Sequence, residues 1–465
     1  MYFFFVKKTL SCLNTYLLRR NQSPIRQLKY KLNNYALIQF KSHKFRLLLD
    51  TSNRFNPIDR ILNVLGLITG STTFISNKTS NVLFKTAKKM LDLFYNQHVN
   101  DPWKYSSHDF THSCRTQDIL KSLFKSIPDF RRSLHNYFKQ QHFSLHSTNE
   151  YLSSQKIGLF CSEMTCLLHD IGYPSQQLLG LQKSNHTIEG MRLIEQLLET
   201  DLKQLFLCLG LTNNQSLFLL NEIKKGVLCH GADKVQDRAH YTHELDCGCA
   251  SMWVQKDDVK HLLENPFFLK SFSIKPTVSS NDVRFADAYL CNDNKLGIKF
   301  EPVDLVKDPI NASIRFCDNL DTTCYRLKED QLDFSLSALD VLSKTHSNFN
   351  NTIYLETLEN TQDPITNHFD IVCPDPNYEI KQLKYFLGLL PIESISFKFD
   401  SIKDTIIVIF NFNKRYTELQ NIYVLDESKD DIKLVDFYFG RIKDSLQSIT
   451  FNSQPILFEK SIDEN

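Results

Sequence analysis

The chain has 465 residues, a length that suggests two or three domains with room for a large buried core. Its 54 Lys and Arg nearly cancel its 53 Asp and Glu, which excludes the strong basic excess of a dedicated nucleic-acid binder. No apolar run approaches the ~18 to 20 residues needed to cross a bilayer. The 12 cysteines contain no Cys-x2-Cys pair and read as reduced thiols, with Cys161 and Cys166 as core packing, so a cytoplasmic location is expected.

Residues 1 to 49 carry many Lys and Arg and no acid; the first is Asp50. "MYFFFVKKTL" places apolar residues before charges, the reverse of a secretory signal. This segment reads best as a helical lid on the rest of the chain, with an organelle transit peptide or a membrane-surface helix as alternatives.

From about residue 55 to 330 the texture is mainly helical. Apolar residues recur at three and four in 81 to 97, 157 to 171 and 189 to 211, the period of core-facing helices. A long polar stretch from about 275 to 310 holds Pro276, Pro302 and Pro309. Residues 310 to 327 then predict another helix, with Asn311 or Ser313 as N-cap. After about 345 the sequence turns β-branched and aromatic. A helix is expected at 378 to 390, then strands at 394 to 401, 404 to 413, 421 to 425 and 433 to 440.

The chemistry concentrates in "LLHDIGYP" (167 to 174), where His169 and Asp170 end an apolar helix. Left unpaired there, such groups cost several kcal/mol. A divalent metal satisfies them, and so does a helix-end histidine beside an aspartate paired to a nearby cation. Upstream, "YSSHDFTHSCR" sets His108 and His112 on one helix face, and downstream "RFCDNLDTTCYR" holds Asp318 and Asp321 among apolar neighbours. "HYTHELDCGC" (240 to 249) offers a rival zinc-like set, but its spacing fits a loop better.

Taken in order, these pieces resemble the HD-domain metal-dependent phosphohydrolases across roughly residues 85 to 330. The resemblance implies a helical HD-type bundle, so the expected fold is mainly α with a small α+β C-terminal domain. The expected divisions are 1–84 (basic helical segment), 85–345 (phosphohydrolase domain) and 346–465 (accessory domain, a possible route to homo-oligomers). It also implies His112, His169, Asp170 and Asp318 as metal ligands. Members with a second metal add two histidines in the interval that here contains His186 and His230.

Three branches echo without securing a subfamily. His186 followed by Gly190 is similar to the His-x3-Gly of HD-GYP cyclic-dinucleotide phosphodiesterases, although "GYP" at 172 to 174 is out of place and reads as coincidence. The His108 and His112 spacing is similar to cyclic-nucleotide phosphodiesterases, and His186 with Glu189 to deoxynucleotide triphosphohydrolases.

The implied cofactors are one or two divalent ions, among Mn, Fe, Mg, Zn or Ni. Asp170 would bridge two of them and help lower the pKa of a bound water toward neutrality, giving a hydroxide that attacks phosphorus. His108 is expected as general acid or as a hydrogen-bond partner of a carboxylate, Lys183 and Arg115 as cations for the substrate phosphate, and Asp321 as the group that orients a ligand histidine. The expected activity is hydrolysis of a phosphoester in a nucleotide or cyclic (di)nucleotide. A non-catalytic nucleotide-binding or regulatory protein is the second reading, and a nucleic-acid-directed activity through the basic N-terminus ranks last.

Overall fold

In the computed structural model the described residues are 60, 77–95, 110–141, 154–173, 186–230, 303–327, 331–340, 380–420, 422–425, 431–447 and 449–462, with strand backbone at 251–255, 276–279, 282–285, 288–290, 295–299 and 353–354. Of these residues 69% are helical and 16% extended, so the mainly α expectation holds. The N-terminal lid and the 240 to 249 cluster lie outside the described residues.

The helical part runs through α1 (Asn77–Tyr95), α2 (Phe110–Ser126), α3 (Pro128–Gln140), α4 (Ser154–Leu168), α5 (His186–Leu193), α6 (Glu199–Cys208) and α7 (Asn213–Cys229). A π-helical turn, Ile194–Leu198, joins α5 to α6, so the single helix expected over 189 to 211 is two with a widened turn between them. Gly210 at φ 89° then ends the run, and Thr212 with Gln215 forms a capping box that starts α7. A division at 84/85 falls inside α1.

Helix α4 is the axle of the bundle. From Ile157 to Leu168 every residue is buried, as expected of a helix apolar on all sides, and α2, α3 and α7 pack around it. Glycines set two of these close approaches: a Cβ on Gly158 would stand 3.1 Å from the Phe138 ring, and one on Gly226 of α7 would stand 2.4 Å from the Thr165 methyl. Cys161 and Cys166 are buried core thiols, as the sequence suggests, and no described cysteine is in a disulfide.

The chain continues through β1 (Ser251–Gln255), β2 (Pro276–Ser279), β3 (Asp282–Phe285), β4 (Ala288–Leu290) and β5 (Lys295–Lys299), which pair antiparallel; β2 to β5 fall within the stretch read from sequence as polar and Pro-broken. Next come β6 (Val303–Asp304) and α8 (Pro309–Asn319). Helix α8 packs against α2, α4 and α7, and it begins one residue earlier than predicted and stops eight earlier. Its N-cap is Asp308 with Pro309 in the first turn, which places Asn311 and Ser313 inside the helix rather than at its cap. A 3₁₀ turn, Cys324–Arg326, and a helix α9 over 331–340 follow.

The C-terminal part comprises β7 (Ile353–Tyr354), α10 (Ile380–Leu389), β8 (Ile392–Asp400), β9 (Thr405–Phe412), α11 (Arg415–Glu418), β10 (Ile422–Leu425), β11 (Asp431–Lys433), α12 (Leu434–Leu446), β12 (Ile449–Phe451), β13 (Gln454–Pro455) and β14 (Leu457–Ile462). Strand β9 is central, antiparallel to β8 and parallel to β14. A parallel neighbour requires a crossover, and α12 lies within it. This corrects the strand expected at 433 to 440. "LVDFYFGRIKDSL" buries Leu434, Val435, Tyr438, Phe439, Ile442 and Leu446, a 3.6-residue period that its aromatic content disguises.

The C-terminal elements share one continuous core with the helices. Phe316 of α8 meets Phe397 of β8 with ring centroids 5.8 Å apart, and β8 packs on α2. Strand β6 pairs in parallel with β12, where the Asp304 carboxylate accepts hydrogen bonds from Val306 N, Lys307 N, Thr450 Oγ1 and Ser453 N. The sheet is therefore fastened to α2 and α8.

Glu163 is fully buried on α4, with Gln117 Nε2 at 3.2 Å and Lys121 Nζ at 3.3 Å from one carboxylate oxygen. Burial raises its pKa to about 7, against the opposing pull of Lys121, Arg60 and Gln117. A carboxyl raised in the folded state is fully stabilising below its unfolded value near 4.5, and that contribution is lost as pH rises through about 7. Denaturant unfolding should therefore show the stability of the wild type falling relative to E163Q between pH 4.5 and 8, by up to about 3 kcal/mol. A difference independent of pH would sink this account.

Candidate metal centre

Helix α4 ends at Leu168, and the chain turns so that Ile171 N bonds Leu168 O and Tyr173 N bonds Asp170 O. The turn presents His169 and Asp170 at the tip of the most buried helix. Both are essentially inaccessible, as are His112, His186 and His230.

Each imidazole with an acceptor at its Nδ1 has its tautomer fixed by that acceptor. His169 Nδ1 is 2.7 Å from Cys166 O and His230 Nδ1 is 2.6 Å from Val227 O; a carbonyl only accepts, so both Nδ1 atoms donate. His112 Nδ1 donates to Asp321 Oδ2 at 2.5 Å. In the neutral ring each Nε2 then carries a lone pair, and these lone pairs face inward.

Two groups of ligand atoms result. In the first, His112 Nε2 lies 2.8 Å from Asp318 Oδ1 and 3.4 Å from Asp170 Oδ2, while His169 Nε2 lies 3.4 Å from Asp170 Oδ2, 3.5 Å from Asp318 Oδ1 and 3.2 Å from His112 Nε2. In the second, Asp170 Oδ1 faces His230 Nε2 at 3.3 Å and His186 Nε2 at 3.8 Å, and the two imidazole nitrogens are 3.1 Å apart. Ligand atoms of His112, His169 and Asp170, of His169, His230 and Asp318, and of Asp170, His186 and His230 lie within 4.8 Å of one another in each set. Lone pairs aimed at one another repel unless a proton or a cation sits among them. The donor set, imidazole nitrogen with carboxylate oxygen, suits a divalent metal ion.

The electrostatics agree. Burial and the charge of Arg326 both oppose a proton on His112, yet its hydrogen bonds to Asp318 and Asp321 carry its pKa above the ordinary value. Burial likewise opposes a charged His169, and the carboxylates Asp170 and Asp318 outweigh it, raising the pKa to about 9. Burial would raise Asp318, but the two histidines hold it well below the usual carboxylate range. The centre attracts positive charge, which a metal supplies in place of protons.

Behind the ligands, Asp321 is fully buried and carries Arg115 Nε on its carboxylate at 2.8 and 3.0 Å. Despite the opposing effect of burial, Arg115, His112 and Arg326 hold it ionised, so it fixes the ring of His112 as an acceptor. Asp321 thus orients a ligand histidine, as its spacing suggests. Arg115, expected as a substrate-binding cation, is buried and donates its Nε–H to Asp321.

The structure brings together His112, His169, Asp170, His186, His230 and Asp318, all six residues expected to bind metal. His108 and Lys183, expected as general acid and substrate cation, lie outside the described residues. Gly172 and Tyr173 were not anticipated. The Tyr173 ring stacks on His186 with centroids 4.2 Å apart and planes 12° apart. A Cβ on Gly172 would stand 1.8 Å from His186 O and 2.6 Å from Gly190 N. The "GY" after the His-Asp pair therefore docks the start of α5 and supports His186, and the signal available for it was the Gly at 190 facing a Gly at 172.

Comparison of the chain with protein-family models, with curated proteins and with solved structures returns no match.

Because α5 must back away from any side chain at 172, G172A should weaken a second metal ion at least about tenfold while the first, held by His112, His169, Asp170 and Asp318, stays bound. Titration of metal-free protein with Mn, read as stoichiometry, checks this. Two ions bound with undiminished affinity would count against the assignment.

Proposed function

We propose that the chain is a metal-dependent phosphohydrolase of the HD type, cleaving a phosphoester bond in a nucleotide or cyclic (di)nucleotide. The observation that carries this reading is the division of one buried carboxylate: Asp170 directs Oδ2 toward His112 and His169 and Oδ1 toward His186 and His230. A carboxylate shared between two ligand sets is the arrangement two-metal hydrolysis uses, and divalent cations so held supply a nucleophile at neutral pH and neutralise charge developing on phosphorus.

The chain's own residues supply the rest. His112, His169, Asp170 and Asp318 would hold one cation and Asp170, His186 and His230 the other. Asp321 and Arg115 lock the His112 ring, Cys166 O and Val227 O lock His169 and His230, and Tyr173 supports His186. Locked ligands hold the reacting groups without reorganisation at the moment of reaction, which is where such enzymes gain rate.

The test uses the full chain loaded with Mn, an aryl phosphodiester and an aryl phosphomonoester, then a panel of cyclic dinucleotides, cyclic mononucleotides, deoxynucleoside triphosphates and nucleoside monophosphates. Turnover is expected to require metal, and D170N to lower kcat/KM by more than about 100-fold, since even outer partners of metal ligands contribute 10- to 100-fold. A metal-loaded protein that binds a nucleotide without turning it over would favour the regulatory reading instead.

A further inference from the structure

The proposed reaction needs a cation on the substrate phosphate, and the Nε of Arg115 is bonded to Asp321. Arg326 closes the same short segment that supplies Asp318 and Asp321, at the end of the 3₁₀ turn Cys324–Arg326. Its Nη1 donates to Asp321 O at 2.7 Å. That is a backbone acceptor, so the bond anchors the guanidinium without neutralising it. Its Nε is buried and has no hydrogen-bond partner among the described residues. A guanidinium carries five N–H donors in a planar fork, and leaving buried donors unmet costs about as much as a lost hydrogen bond. Burial opposes the charge, while Tyr385 and the carboxylates of Asp321, Asp318 and Asp170 sustain it. The residue that anchors it, Asp321, also takes the Nδ1–H of His112 on its carboxylate, which places the guanidinium one residue's breadth from the cluster.

Resting on the function proposed above, we propose that Arg326 is the substrate's phosphate-binding residue, offering the guanidinium N–H groups not spent on Asp321 O to non-bridging oxygens of the phosphoryl group beside the metal centre. A planar fork matches two oxygens of a tetrahedral phosphoryl anion better than a lysine ammonium does. Its anchor on Asp321 O ties phosphate binding to the residue that orients His112, so the cation and the first ligand set keep a fixed relation.

The experiment compares the Mn-loaded full chain with R326K and R326Q. Three quantities are read: bound Mn, thermal midpoint, and affinity for inorganic phosphate by calorimetry. Phosphate should bind R326Q at least tenfold more weakly than wild type and R326K at an intermediate level, with Mn content and thermal midpoint unchanged; on an aryl phosphoester the loss should fall on KM as well as kcat. Unchanged phosphate affinity in R326Q overturns the assignment, and so does a wild type that binds Mn but no phosphate. If R326Q loses Mn or its fold, R326K decides: phosphate affinity equal to wild type at full Mn content overturns the assignment, and a several-fold loss supports it. A wild type that binds phosphate through Arg326 yet hydrolyses nothing overturns the phosphohydrolase reading and leaves the phosphate site standing.

Discussion

The carboxylate of Asp170 is the constraint around which the rest is arranged. It is buried at the tip of a helix whose last three turns are inaccessible, and four imidazoles from four different places in the chain converge on it. An anion in that position is tolerable only when positive charge accompanies it. The raised histidine pKa values and the depressed Asp318 express the same requirement in protonic form. Helices α2, α7 and α8 each bring a His or Asp of the cluster to that tip because each packs on α4, so the close crossing of α7 and α4 at Gly226 is part of the site's construction.

The orientation of three of the histidines is fixed through Nδ1, twice by one rule and once by a substitute for it. A histidine at or just past the end of a helix turns its Nδ1–H back onto the carbonyl three residues earlier, as His169 does to Cys166 and His230 to Val227. His112, near the start of α2, instead donates its Nδ1–H to Asp321, a buried aspartate from beyond α8. That substitution explains why the segment after Asp318 needs Asp321, and why Asp321 needs Arg115.

Much of the ligand set was legible in the sequence because metal ligands are rare residue types at apolar positions, and their order along the chain carries information that no single pair does. Asp321 was legible for the same reason, being an acid one turn from another on an apolar segment. The pairing of Arg115 with Asp321 was not legible because charge alone does not say which neighbour a cation meets. Gly172 and Tyr173 were dismissed because their role depends on an approach between segments that periodicity does not encode. In the C-terminal part, α12 passed for a strand because Phe437, Tyr438 and Phe439 raise β propensity locally, and burial over thirteen residues outweighs that preference. Its neighbours β8 and β9 alternate or run apolar with clear turns between them, and their limits fall within two residues of expectation.

The Asp304 hub and the Phe316 to Phe397 contact bind two of the C-terminal sheets to the helices that present His112 and Asp318. The C-terminal segment is thus no passenger appended to a self-sufficient helical bundle. Truncation near residue 345 would strip apolar cover from α2 and α8 together, and lesions far out on the strands would reach the His/Asp cluster through two rigid rods. Evolutionary exchange of this segment for another would have to conserve the buttress, whatever else it altered.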